Sequence, residues 1–258
     1  MIDKNFHTHT YRCGHASGKD EEYVLSAIDF GITELGFTDH IMLKDHPQPH
    51  MRGDYSLLDD YVNSLNKLKE KYKDKIKIHI GFEAEAIPYY YPYYKELLDS
   101  KKIEYLILGN HCALDENNEI KFYRYTEPGV VNKYVDSLID GMRTGLFKYV
   151  AHPDHYLVGY HHWDDVSINA CNRICKVAEE LDIPLEINLA HFRSRHYDMN
   201  FIDYPYKEFW KIVKNYNIKV ILGIDAHNPC DFENVNYENV KLFLKEVGID
   251  YSQNLKFD

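Results

Sequence analysis

A chain of 258 residues with 45% apolar side chains can bury one large core, and α/β barrels commonly reach this size without dividing. Its formal charge of -11 disfavours a nucleic-acid partner, which needs a clustered basic surface that is not found here. Five cysteines, odd in number and without a CxxC pair, argue against a disulfide framework. No secretory leader is read at Met1-Ile2-Asp3 and no apolar run reaches bilayer length, so a cytoplasmic protein with no membrane partner is expected.

In chain order the sequence divides into seven strand-like runs, nearly all followed by a helical pattern. A strand over 5–9 runs from Phe6 into His7 and His9, a loop carries Cys13-Gly14-His15, and a helix over 21–30 places Val24, Leu25 and Ile28 on one face. A strand over 34–38 leads through Phe37 to Asp39 and His40, and a helix over 57–72 repeats Leu58, Tyr61, Val62, Leu65 and Leu68. The third strand, 76–83, ends in Glu83; beyond it Pro88-Tyr89-Tyr90-Tyr91 reads as structure rather than substrate pocket. A strand over 105–110 leads to His111, with a helix over 130–145. A strand over 149–152 delivers His152, with a helix over 168–181. A strand over 185–188 carries no ligand at its end and precedes a helix over 206–216; the last strand, 219–224, leads to Asp225 and His227, with a helix over 237–247. The irregular stretches 42–55, 115–128 and 154–166 are expected to wall a site. Cys171 and Cys175, spaced i, i+4, read as a buried helix face.

Strands that alternate with helices are expected to be parallel. An open sheet would gather its ligands at one switch point, whereas a closed barrel collects them from several strand ends. The observed distribution, with no Gly-rich phosphate loop after the first strand, favours a barrel of seven units and one domain spanning 1–258.

One strand-end histidine is more often a hydrogen-bonded structural residue than a ligand, but surface histidines have no reason to track strand ends together. Alternate residues on a strand point the same way, so His7 and His9 can grip one ion, and Asp225 with His227 repeats that geometry on the strand that neighbours the first in a closed barrel. Glu83 is suited to bridge two ions; Glu85 shares its strand face and competes for the role, but Glu83 stands at the end of the apolar run. His111 and His152 complete a second ion, and His15, His40 and His227 a third.

The motifs His7-Thr8-His9, Cys13-Gly14-His15, Phe37-Thr38-Asp39-His40, Gly81-Phe82-Glu83-Ala84, Gly109-Asn110-His111, His152-Pro153-Asp154 and Asp225-Ala226-His227 follow one another across nearly the whole chain. In this the chain resembles the PHP (polymerase and histidinol phosphatase) superfamily, in its histidinol-phosphate phosphatase branch. The resemblance implies a distorted (β/α)7 TIM-like barrel with a trinuclear site of Zn, Fe or Mn at the C-terminal strand ends. His7, His9, Glu83 and Asp225 would hold the first ion, Glu83, His111 and His152 the second, and His15, His40 and His227 the third.

The implied activity is metal-dependent hydrolysis of a phosphomonoester, histidinol phosphate, to histidinol and inorganic phosphate, a step of histidine biosynthesis. A hydroxide bridging two ions would attack phosphorus, with Glu83, His15 and His40 in the machinery. Arg193 resembles the arginine of the family segment Asn-Thr-Ser-Gly-Leu-Arg, and Arg52 another loop arginine; either suits a phosphate, and both have surface ion pairing as the alternative. Leu189, Ala190 and His191 replace that segment's small residues, which leaves the pocket floor open, and Asn110 stands where the family usually has a small hydroxyl residue before the fourth-strand histidine, here His111. Asp39 and Asp154 are expected to orient His40 and His152. The alternatives are a PHP phosphoesterase of phosphodiesters, nucleotides or phosphotyrosine, an amidohydrolase, and a non-catalytic metal-binding module.

Overall fold

Alternation of apolar runs and amphipathic stretches builds a nearly closed barrel of parallel strands with helices outside it. The computed structural model describes residues 2–124, 127–193 and 206–257. In chain order it contains β1 (Lys4–Asn5), α1 (Asp20–Phe30), β2 (Glu34–His40), α2 (Leu58–Lys71), β3 (Lys77–Ala84), α3 (Tyr91–Asp99) and β4 (Tyr105–Leu108). There follow a hairpin of β5 (Cys112–Leu114) and β6 (Ile120–Phe122), α4 (Pro128–Arg143), β7 (Tyr149–Val150), α5 (Asp165–Glu180), β8 (Leu185–Asn188), α6 (Lys207–Val213), β9 (Val220–Gly223), α7 (Asp231–Asn234) and α8 (Tyr237–Val247). Seven strands pair in sequence order, β1-β2-β3-β4-β7-β8-β9, every ladder parallel. The expected (β/α)7 architecture is therefore the one observed. Tyr125 and Thr126 of the expected 115–128 loop, and Arg195, lie outside the described residues.

The pleat sorts side chains into two environments. Ile78, Ile80, Phe82 and Ala84 of β3, Leu106 and Leu108 of β4 and Leu185 and Ile187 of β8 join the core shared with the helices. The alternate positions face the barrel interior, as period-two geometry requires. There Phe6, Tyr105, Ile107, Tyr149, Ala151 and Ile221 form a separate cluster, and the hydroxyls of Tyr105 and Tyr149 both donate to the Phe6 carbonyl at 3.0 Å. This apolar layer lies beneath the strand ends and supports the polar layer above it.

Three elements differ from expectation. Helix α3 fills the interval between β3 and β4: Pro92 sits in its first turn, where a missing N–H costs nothing, and Tyr94 and Leu97, three apart, bury one face. Part of the expected 115–128 loop is built into the β5-β6 hairpin, with β6 at Ile120–Phe122. Strand β1 is only two residues long; beyond it the chain stays beside β2, where Thr38 N donates to Thr8 O at 2.8 Å, and also bridges to the segment after the last strand, with His9 N donating to Ala226 O at 2.8 Å and Thr8 opposite Ala226. Among the described residues no helix is long and apolar enough to cross a membrane, and all five cysteines are free thiols.

Candidate metal centre

The C-terminal ends of the strands bring the predicted donors together. Register explains the first meeting: His40 pairs directly with Glu83 across β2 and β3, so their side chains emerge side by side, with His40 Nδ1 3.0 Å from Glu83 Oε2. Glu83 occupies the middle. Its Oε1 lies 2.8 Å from His152 Nε2 and 3.6 Å from His111 Nε2, while Oε2 lies 3.5 Å from His9 Nε2 and 3.7 Å from His7 Nε2. Gly109 makes room for this carboxylate; a Cβ there would overlap the Glu83 side chain. Asp225 Oδ1 approaches His9 Nε2 at 3.1 Å, His7 Nε2 at 3.4 Å and His227 Nδ1 at 3.4 Å. On the outer side, His15 Nε2 and His227 Nε2 are 3.0 Å apart. His152 and Asp225 are held at positive φ, 31° and 53°, an unusual backbone state for such residues, and one that concentrates at functional sites.

Three groups each place their donor atoms within 4.8 Å of one another: His7, His9 and Asp225; His7, Glu83 and His152; and His15, His40 and His227. His9, His40 and Glu83 form a further group, as do His9, Cys13 and His227, so the buried thiol of Cys13 faces the cluster. The arrangement fits cations better than a self-contained hydrogen-bond network. His7 Nε2 and His9 Nε2 face each other at 3.2 Å, and Asp225 Oδ1, close to three imidazoles, has no aligned hydrogen bond among the described residues. Buried polar atoms in native proteins are normally paired, and mixed N and O donors converging in this way suit a borderline divalent ion.

The electrostatics divide the imidazoles. Burial opposes charge on His7 and His9, but Glu186, Asp225 and Glu83 outweigh it at His7, holding it well above the ordinary imidazole range; Asp225 and Asp39 bring His9 up to about 9. Burial prevails at His40, taking it down to about 3, and also lowers His15 and His227, with charge on His9 adding to the effect. Burial would raise Glu83 and Asp225 too, yet the imidazoles around each hold both carboxylates well below their usual range. At neutral pH the outer trio is thus neutral and able to donate lone pairs, and the inner carboxylates are charged.

A cavity of about 610 Å³ opens over the cluster, lined by His15, His40, Glu83, His111, His152, Asp225 and His227 together with Met51, Arg193 and Asp231. Arg193 reaches this wall, although its fork is engaged: Nη1 donates to Asp231 at 2.7 Å, and Nη2 to the carbonyls of Ile224, at 2.6 Å, and Asp225. Arg52 is placed elsewhere. It is buried, donating from Nη2 to Glu85 at 2.9 Å and from Nη1 to the Ile41 carbonyl at 3.0 Å, and its neighbour Met51 lines the cavity instead. Glu85, the competitor for the bridging position, turns from the centre to accept from the His111 backbone and lies 3.3 Å from His111 Nδ1.

The expected orienting acids are also reassigned. Asp39 accepts from Thr10 and from the His40 backbone, and its nearest imidazole is His9, at 3.6 Å. Asp154 accepts from Tyr206 N at 2.8 Å and Trp210 Nε1 at 3.0 Å, so it anchors α6 rather than His152. Two residues escaped the sequence reading. His155 packs its ring 5.1 Å from His152 and 5.5 Å from His111. Glu186, from the strand without an end ligand, sits 2.9 Å from His7 Nδ1; a carboxylate between Leu185 and Ile187 in a buried strand was the available signal.

Comparison with known proteins bears on the fold and the family. The sequence profile of the PHP domain matches residues 5–190. A probable histidinol-phosphatase of Schizosaccharomyces pombe is 36% identical, with 94% of this chain and 86% of that protein covered. One of Deinococcus radiodurans is 25% identical, with coverage of 86% and 85%. Among solved structures, the histidinol phosphate phosphatase of Lactococcus lactis, determined with zinc, L-histidinol and phosphate, superposes with a TM-score of 0.72 at 18% identity, covering 99% of this chain and 98% of that one.

Proposed function

The chain belongs to the PHP domain family, and from that premise we propose that it is a metal-dependent phosphatase whose substrate is histidinol phosphate. The observation that carries the reading is the convergence on Glu83 and Asp225 of imidazoles from five strand ends, at the floor of an open cavity. The relatives named as histidinol-phosphatases, and the similar fold solved with histidinol and phosphate, support the choice of substrate.

His7, His9, Glu83 and Asp225 would hold one divalent cation, Glu83, His111 and His152 a second, and His15, His40 and His227 a third. Bound there, the cations supply an acidified water near neutral pH and neutralise phosphoryl charge. The chain's own groups do the rest. Glu83, its charge secured by surrounding imidazoles, serves two positions at once through its two oxygens. The neutral rings of His15 and His40 line the cavity and offer lone pairs toward the third cation position, where a water rather than either ring would supply the proton taken up by the departing alkoxide. Arg193 holds the carbonyls of Ile224 and Asp225 and so fixes the strand end from which Asp225 and His227 project, while adding positive charge to the cavity wall. Zinc, iron(II) and manganese all accept such a donor set.

The test is a panel of phosphomonoesters, histidinol phosphate included, assayed with enzyme loaded separately with Mn, Fe(II) or Zn. Histidinol phosphate should be the best substrate with at least one metal, and a chelator should abolish its turnover. Hydrolysis confined to aryl phosphates would reject the substrate; equal turnover after metal stripping would reject the mechanism.

A further inference from the structure

Strand β8 supplies no donor to the cluster, yet its two inward side chains are buried against it. Both Glu186 oxygens face His7 Nδ1, at 2.9 and 3.1 Å, and the carboxylate is fully buried. An ionised carboxylate can only accept, so the proton of this contact sits on Nδ1 and the lone pair of a neutral His7 is on Nε2, the atom that faces His9, Glu83 and Asp225. Asn188, two residues on and therefore on the same face, donates through Nδ2 to Glu186 Oε1 at 3.3 Å and to Asp225 Oδ2 at 3.0 Å. One amide thus joins the acid behind His7 to the acid opposite it. Gly223 on the neighbouring β9 completes the enclosure, since a Cβ at that position would overlap the Glu186 carboxylate.

We propose that Glu186 and Asn188 form a positioning pair that fixes the tautomer and ring orientation of His7 and its distance from Asp225, setting the affinity of the first cation. This rests on the metal-binding reading above. Neither residue lines the cavity; they act through His7 and Asp225. The placement also explains a costly feature, a carboxylate in the interior of a barrel, where burial without an aligned donor would be strongly unfavourable. Orienting carboxylates of this kind typically change metal affinity by roughly 10–100-fold.

The experiment measures zinc binding by competition with a chromophoric chelator for the wild type, Glu186→Gln and Glu186→Leu, with 15N spectra of the histidine rings recorded on zinc-loaded protein. One zinc should bind roughly 10–100-fold more weakly in Glu186→Gln, and more weakly still in Glu186→Leu. The downfield Nδ1 proton of His7 should be lost in the leucine variant, and kcat should recover toward wild type at saturating zinc. Should either variant fail to fold, Gly223→Ala displaces the same carboxylate without removing it and should give the same loss. Wild-type zinc affinity and an unchanged His7 spectrum in folded variants would overturn the proposal. Wild-type protein that binds no zinc would overturn the underlying reading instead.

Discussion

Glu83 and Glu85 stand two apart at the end of β3, and their surroundings give them different tasks. Glu83 is ringed by His7, His9, His40, His111 and His152, whereas Glu85 is clamped between Arg52 and His111. Burial works against charge on Glu85, but His111 and Arg52 hold it well below the usual carboxylate range. Substitution should separate the roles. Glu83→Gln keeps the shape but removes the charge shared by two cation positions, so turnover should fall by about 1000-fold or more, of the order seen when a preorganised charge is lost. Glu85→Gln should weaken metal affinity by roughly 10–100-fold through His111. It should also destabilise the fold by about 3–5 kcal/mol, because the buried Arg52 guanidinium is left unpaired. Urea denaturation, a zinc titration and kcat at saturating zinc read these effects separately; Glu85→Gln with wild-type stability would contradict the assignment.

At the scale of elements, legibility depended on whether tertiary context agreed with local pattern. Apolar runs ending in His7, His40, His111, His152 and Asp225 could be read because the barrel places strand ends on one face, so position in the run predicts position in the site. Glu186 was not read: it lies inside a strand, and only the closed barrel turns an interior position toward His7. Helix α3 escaped because Pro88, Pro92 and five tyrosines between 89 and 94 give a weak helical pattern that packing of Tyr94 and Leu97 overrides. Arg52 resembled a phosphate contact by sequence, and its burial against Glu85 follows from a loop geometry that spacing does not encode.

The opposite strand ends carry their own polar device. Glu104, leading into β4, accepts from Lys69 at 2.6 Å and lies 2.9 Å from His79 Nδ1. Burial would raise its pKa, but these partners bring it down to about 2 from an ordinary 4.5. On acidification the unfolded chain takes up this proton first, so the stabilisation is present above pH 4.5 and disappears as pH falls toward 2. Glu104→Gln should therefore cost about 1 kcal/mol at pH 7, after allowance for solvent screening of this part-exposed group, and almost nothing near pH 2. Stability curves for the two proteins that stay parallel through this range would contradict the linkage.

For the whole molecule, the decisive feature is the seam between β1 and β9, across which the cluster is split: His7 and His9 stand on one side, Asp225 and His227 on the other. Few backbone bonds cross it. Near the base, Gln253 from the C-terminal segment substitutes for a ladder, accepting from Leu222 N at 2.9 Å and donating to Lys4 O at 2.9 Å and Leu222 O at 2.7 Å. Midway, Asn5 Oδ1 accepts from Ile224 N at 2.9 Å, and at the top His9 N donates to Ala226 O while Ala226 N donates to His7 O at 3.3 Å. The same segment closes the base of the barrel, where Phe257 stacks on His79 with ring centroids 3.8 Å apart. A cation held by His7, His9 and Asp225 is then one more crosslink on this seam, at its upper end. Gln253→Ala leaves buried groups at the base unpaired, at a cost of about 1–3 kcal/mol. In the metal-free variant the amides of Leu222, Ile224 and Ala226 should all exchange faster than in wild type, since the seam opens as a local unit. Zinc should restore the protection of Ala226, which lies beside the ion, and leave Leu222 fast, because its acceptor is gone. Hydrogen exchange resolved by residue distinguishes this graded result from uniform protection by zinc, which would mean that the cation and Gln253 do not act on one seam.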